Sequence, residues 1–187
     1  MSRADQSHRR RKNPLAAVFR AVGIILLIAI IAICVPLIVP KTMGYQLYTV
    51  VSGSMEPAVP TGSLVYIKYV EPGDIETGDI IAFYYNNKVL IKRVIGLPGE
   101  WVNIDGSGNV YINGELLDEP YITDRALGDC SITLPYQVPD GRYFVLGDHR
   151  STSRDSRSTL VGPVSEEQIM GRVTLRIWPL NRIGFLQ

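Results

Sequence analysis

The longest feature of the hydrophobic pattern is an uncharged run, Ala21 to Val39, densest at Ile24-Ile25-Leu26-Leu27-Ile28. As an α-helix it would be roughly 28 Å long at about 1.5 Å per residue, close to the apolar thickness of a bilayer. Past Lys41 the pattern changes to short β-branched or aromatic groups bounded by turn residues. Leu64-Val65-Tyr66-Ile67, Asp79-Ile80-Ile81-Ala82-Phe83-Tyr84 and Lys88-Val89-Leu90-Ile91 predict strands, with Asn86-Asn87 as the hairpin loop between the last two. Val110-Tyr111-Ile112 and Glu115-Leu116-Leu117 flank Asn113-Gly114, a hairpin signal because both turn residues tolerate positive φ. Pro139-Asp140-Gly141 turns into the strand Arg142–Leu146, and Arg172–Trp178 reads as a late strand. Only Ser165–Met170 has helical character there, about a turn and a half, with a serine and two acids suited to a helix N-terminus. The pattern predicts a mainly β fold, one antiparallel domain behind an apolar N-terminal helix.

Charge divides the chain at the same place. The net charge is +1, yet residues 1–20 hold six Lys/Arg against Asp5, whereas residues 41–187 carry 13 basic and 17 acidic side chains. A basic tail suits nucleic acid, but one abutting a long apolar run reads as a topology signal, so no nucleic-acid partner is expected. A cleaved secretory signal has the same basic and apolar order. This run is longer than a usual signal core, and Val39-Pro40-Lys41-Thr42-Met43-Gly44 offers no clear small-x-small cut site. The expected organisation is a cytoplasmic basic tail over 1–14, a transmembrane anchor helix over 15–40 and an extracytoplasmic β-rich domain over 41–187. Cys34 falls in the apolar run and Cys130 in the β region, so no disulfide is expected, and no Cys/His cluster has metal-ligand spacing.

Candidate chemistry rests on a serine and a lysine. Ser54 sits in the turn-like Val51-Ser52-Gly53-Ser54-Met55-Glu56-Pro57, and Lys92 follows the apolar Val89-Leu90-Ile91. The chain has two histidines, His8 in the basic tail and His149, so little is available for a Ser-His triad. A lysine can activate a serine only if burial destabilises its ammonium form. Each piece has a plain alternative: Ser-Gly-Ser is usually a solvated turn, a strand lysine usually faces water, and Gly147–Arg157 could be a polar surface loop. Their order behind an apolar helix gives the combination its weight.

In that order the chain resembles a type I signal peptidase of the bacterial Ser-Lys group. Four blocks carry the resemblance: Ser52-Gly53-Ser54-Met55-x-Pro57, Thr77-Gly78-Asp79-Ile80-Ile81-Ala82-Phe83, Ile91-Lys92-Arg93-Val94-Ile95-Gly96-Leu97-Pro98-Gly99-Glu100 and Gly147-Asp148-His149-Arg150-x-x-Ser153-x-Asp155-Ser156-Arg157. The resemblance implies Ser54 as nucleophile and Lys92 as general base, an oxyanion held by the Ser54 N–H and the Ser52 hydroxyl, and Ser153 bonding the lysine amine. It implies an ion-pair network of Arg93, Asp148, Arg150, Asp155 and Arg157 bracing the site. Tyr48, Val50, Met55, Val59, Leu90 and Ile91 would line shallow pockets for small residues at −1 and −3, although core packing suits all six. His149 stands where bacterial members more often carry asparagine and reads as a polar loop residue. The implied protein is a monomeric single-pass serine endopeptidase of the plasma membrane, without metal or organic cofactor. It would cleave signal peptides of preproteins after Ala-x-Ala-like sites, with the lipid bilayer as its other partner. A peptidase dedicated to a few substrates such as pilus subunits, a non-catalytic membrane-anchored assembly factor and a self-cleaving repressor are the alternatives. The last would need a soluble DNA-binding domain where the apolar run stands.

Overall fold

The computed structural model describes residues 14–42 and 44–186. The basic tail expected over 1–14 lies outside them except for Pro14. The chain forms two units that divide after Met43. The first is a single helix, α1 (Pro14–Thr42), whose described apolar side chains are exposed. Among the described residues no helix is long and apolar enough to cross a membrane.

The second unit is built from twelve strands in two antiparallel sheets. They are β1 (Tyr45–Thr49), β2 (Leu64–Lys68), β3 (Ile80–Tyr85), β4 (Lys88–Gly96), β5 (Trp101–Ile104), β6 (Val110–Ile112), β7 (Glu115–Leu116), β8 (Tyr136–Gln137), β9 (Arg142–Leu146), β10 (Val164–Ser165), β11 (Ile169–Trp178) and β12 (Gly184–Phe185). The larger sheet runs β1-β2-β11-β3-β4-β9-β10, with β12 added to β11; the smaller runs β7-β6-β5-β8. Both expected hairpins form, with Asn86 at φ 52°, Asn113 at 52° and Gly114 at 89°. The positive φ values there suit Asn and Gly and set tight two-residue connections.

Three apolar clusters fill the domain. One packs Val50, Met55 and Val59 against β2, β3 and β11 beneath the Ser54 turn. A second lies among β3, β4 and β9. The third joins Val102, Ile104 and Val110 of the small sheet to Ile95, Phe144 and Leu146, fastening it to β4 and β9. β4 therefore runs from an exposed hairpin into a core contacted by both sheets.

The helix expected over Ser165–Met170 is shorter than that: a 3₁₀ turn spans Glu166–Gln168, and Ile169 already opens β11. Ile169 pairs with Phe83 and Met170 is buried, which holds those residues extended. A six-residue helix has too little cooperativity to compete with that pairing. The acceptor expected at the turn is there in another form, since the Gln168 side-chain oxygen accepts from the Ser165 N–H at 2.9 Å. Gly171 follows at a register shift in β11, where any Cβ would run into the Lys68 carbonyl oxygen.

Candidate active site

β4 delivers Lys92. Its backbone pairs with Ile81 of β3, and the ladder to β9 begins one residue later at Arg93. Lys92 is 3 % exposed, and its Nζ lies 2.5 Å from Ser54 Oγ. Burial, the largest influence, pulls the ammonium down to about 8; Asp155 and Asp148 oppose that and Arg157 reinforces it. The amine is thus brought near the range where a base is available at neutral pH.

Ser54 comes from the turn after β1, held on the core by fully packed Met55 and by bonds from Glu56 N to Gly53 O and from Val59 N to Met55 O. Its carbonyl accepts from the His149 N–H at 3.1 Å, tying the Ser54 backbone to the 147–153 loop. Gly147 packs so closely there that a Cβ would lie 2.5 Å from the Ser54 carbonyl oxygen and would overlap Ser153 Oγ. The Ser52 hydroxyl accepts from the Ser54 N–H at 3.3 Å and lies 3.2 Å from Ser54 Oγ. The two expected oxyanion donors converge, pairing with each other.

Arg93 forms a bidentate pair with Asp148, Nε to Oδ1 at 2.9 Å and Nη2 to Oδ2 at 2.8 Å. Arg157 does the same with Asp155 at 2.8 Å for both bonds, while Asp155 Oδ2 also accepts from the Gly147 N–H at 3.0 Å. All four side chains are buried, and every one is paired and hydrogen-bonded, as removing such groups from water requires. Arg150 also belongs to this network, but its carboxylate is Glu119, which both Nη atoms contact, and its Nε donates to the Gly147 carbonyl at 3.1 Å.

Sequence reasoning missed Glu119 and its neighbours. The irregular stretch between β7 and β8 carries Glu119, Tyr121 and Asp124 to the back of the 147–151 loop. Tyr121 stacks on the Arg93 guanidinium at 3.8 Å and donates to Glu119 at 3.1 Å. Its hydroxyl pKa is raised, first by burial and then by the Glu119 charge. Asp124 accepts from the Ser151 N–H and hydroxyl, which lower its pKa, and lies 3.6 Å from His149 Nε2. One signal was available: three arginines faced only two aspartates, so a third carboxylate was owed.

Two expected contacts are absent. Ser153 Oγ is buried without a hydrogen-bond partner and does not bond the Lys92 amine. Its side chain is pressed against Gly147, and its N–H is bound to the His149 carbonyl. Val59 does not line the cleft at Ser54 and Lys92 either; it is packed in the core beneath the turn. Tyr48, Val50, Met55, Leu90 and Ile91 do line a cleft of about 500 Å³ that ends at Ser54 and Lys92. Cys34 and Cys130 are free thiols.

A hydroxyl against a buried amine, beside convergent donors at the end of an apolar cleft, is the equipment of an acyl-transfer hydrolase. Residues 19–178 match the family described as signal peptidase, peptidase S26. The signal peptidase IB of Staphylococcus aureus (strain MRSA252) is 35 % identical over 157 residues, covering 74 % of this chain and 80 % of that protein. A probable signal peptidase I-2 of Synechocystis is 38 % identical over 145 residues, covering 72 % and 64 %. A crystal structure of a signal peptidase I from Enterococcus faecalis V583 superposes with a TM-score of 0.47 at 35 % identity, covering 54 % of this chain and 97 % of that one. The chain belongs to the type I signal peptidase family: it is a serine endopeptidase that cleaves signal peptides from preproteins.

Proposed function

We propose that Ser54 and Lys92 carry this cleavage. The observation behind the assignment is the 2.5 Å contact between Lys92 Nζ and Ser54 Oγ at the end of the cleft. Neutral Lys92 accepts the hydroxyl proton as Ser54 Oγ attacks the scissile carbonyl. The ammonium then returns that proton to the leaving amine, and water hydrolyses the acyl-enzyme by the same route. The Ser54 N–H and the Ser52 hydroxyl turn from each other to the developing oxyanion; losing one such donor typically costs about a hundredfold or more in rate.

The substrate enters as a strand. Among the described residues β1 pairs only with β2, and residues 88–92 of β4 pair only with β3, so two unpaired edges border the cleft. An extended signal-peptide segment gains main-chain bonds from such edges, and the apolar walls select small side chains at −1 and −3. The enzyme acts as a monomer anchored by the apolar run within α1, with residues 1–14 cytoplasmic and the β domain outside the plasma membrane. Support for this topology comes from the uncharged Ala21–Val39 run behind a basic segment.

Cleavage of a preprotein with an Ala-x-Ala site tests the assignment in detergent or liposomes. Ser54→Ala and Lys92→Ala are expected to be inactive, with His149→Ala active. Cleavage that survives Ser54→Ala would refute the nucleophile.

A further inference from the structure

The cleft carries a charge that the chemistry does not use. Its walls are residues 48–52 on one side and Lys88–Lys92 on the other, and among the described residues no acidic side chain lines it. Lys88 opens β4 immediately after the Asn86-Asn87 turn, with its backbone paired to Tyr85. It is exposed and forms no ion pair among the described residues. Side chains alternate along a strand, so Lys88, Leu90 and Lys92 belong to one face of β4, and Lys88 sits about 13 Å before the base at about 3.3 Å per residue. That row begins with an ammonium in water and ends with a buried amine.

Both cleft walls run toward the reacting pair. A substrate whose −1 residue sits at Lys92 and whose earlier residues follow the wall back brings its −5 residue to Lys88. Resting on the reading given above, we propose that Lys88 is a specificity-determining residue that favours an acidic side chain at −5 of the signal peptide and disfavours a basic one. The pair stays solvent-exposed, which limits the preference to about two- to fivefold. Salt weakens it, since exposed charges are screened over about 10 Å at 0.1 M.

The test uses soluble peptides with Ala at −1 and −3, carrying Asp, Ala or Lys in turn at each position from −4 to −7, with the full chain in nonionic detergent at low and high salt. The ratio of kcat/KM for Asp over Lys is expected to be about threefold at −5, to fall at neighbouring positions and to approach one in high salt. Lys88→Gln should bring the ratio to about one, and Lys88→Glu should invert it. Because each ratio is internal to one variant, a general loss of activity does not obscure it. A flat ratio in the wild type, a preference unchanged in Lys88→Glu, or a maximum at another position overturns the role of Lys88. If the all-Ala peptide is not cut, or is still cut by Ser54→Ala, the underlying reading fails and takes the proposal with it. A flat ratio with Ser54-dependent cleavage removes Lys88 alone.

Discussion

As the proposed base, Lys92 meets two opposed demands. To take a proton it must be neutral, and to be neutral near physiological pH it must be buried at the expense of stability. With the amine near 8 in the folded protein, kcat/KM is expected to climb with pH and to level off above about 8; a kcat/KM independent of pH from 6 to 9 would remove Lys92 as the base. The ordinary value of 10.5 describes the unfolded chain, so below about pH 8 both states hold the proton and the fold bears the whole cost of a buried ammonium. Between about 8 and 10.5 the unfolded chain holds more proton, and stability rises with pH. That gap corresponds to roughly 3 kcal/mol at about 1.4 kcal/mol per unit. Lys92→Met should therefore abolish cleavage while stabilising the protein at pH 7 by up to about 3 kcal/mol, an advantage that shrinks above pH 8. Denaturation midpoints of the two proteins at pH 7 and 10 check this, and a variant less stable at pH 7 would contradict it.

The elements differ in how openly the sequence announces them. Residues 64–67, 80–84 and 142–146 show β-branched and aromatic runs between turns, and Asn113-Gly114 is a local turn preference, so neither depends on distant partners. β5, β8, β10 and β12 are short strands formed by tertiary pairing, which local pattern does not report. The same holds for Glu119, whose surroundings have no periodicity. The contact between Ser54 and Lys92 was legible as a turn serine and an apolar-strand lysine; the position of Ser153 was not, because its side chain packs against Gly147 across the loop, a tertiary contact. The 119–124 segment nevertheless holds the 147–151 loop through Arg150, Arg93 and Ser151. Removing one partner of a buried pair leaves an uncompensated charge, at a cost of about 3–5 kcal/mol. Glu119→Ala should lose that much stability in urea. Arg150→Met combined with Glu119→Leu should recover most of it, because two apolar side chains leave no buried charge. A double variant as unstable as Glu119→Ala would mean that the segment is held by something other than this pair.

At the scale of the molecule, the proposed catalytic machinery and the proposed anchor belong to separate units, since every residue of that machinery lies in the β domain and none in α1. Three apolar clusters within residues 44–186 give that domain its own core. The chain from Gly44 onward should therefore fold and cleave a short soluble peptide with a kcat/KM close to that of the full chain. Membrane-inserted preproteins should respond differently. An anchor that keeps enzyme and cleavage site at one interface turns a three-dimensional search into a local one, and tethering of this kind is worth about a hundredfold or more. Comparing both chains on the soluble peptide and on a preprotein in liposomes separates the contributions. Equal losses on both substrates would mean that the helix stabilises the catalytic domain itself. A loss confined to the liposome substrate would assign the helix to delivery, leaving Ser54, Lys92 and their buried braces sufficient for the chemistry.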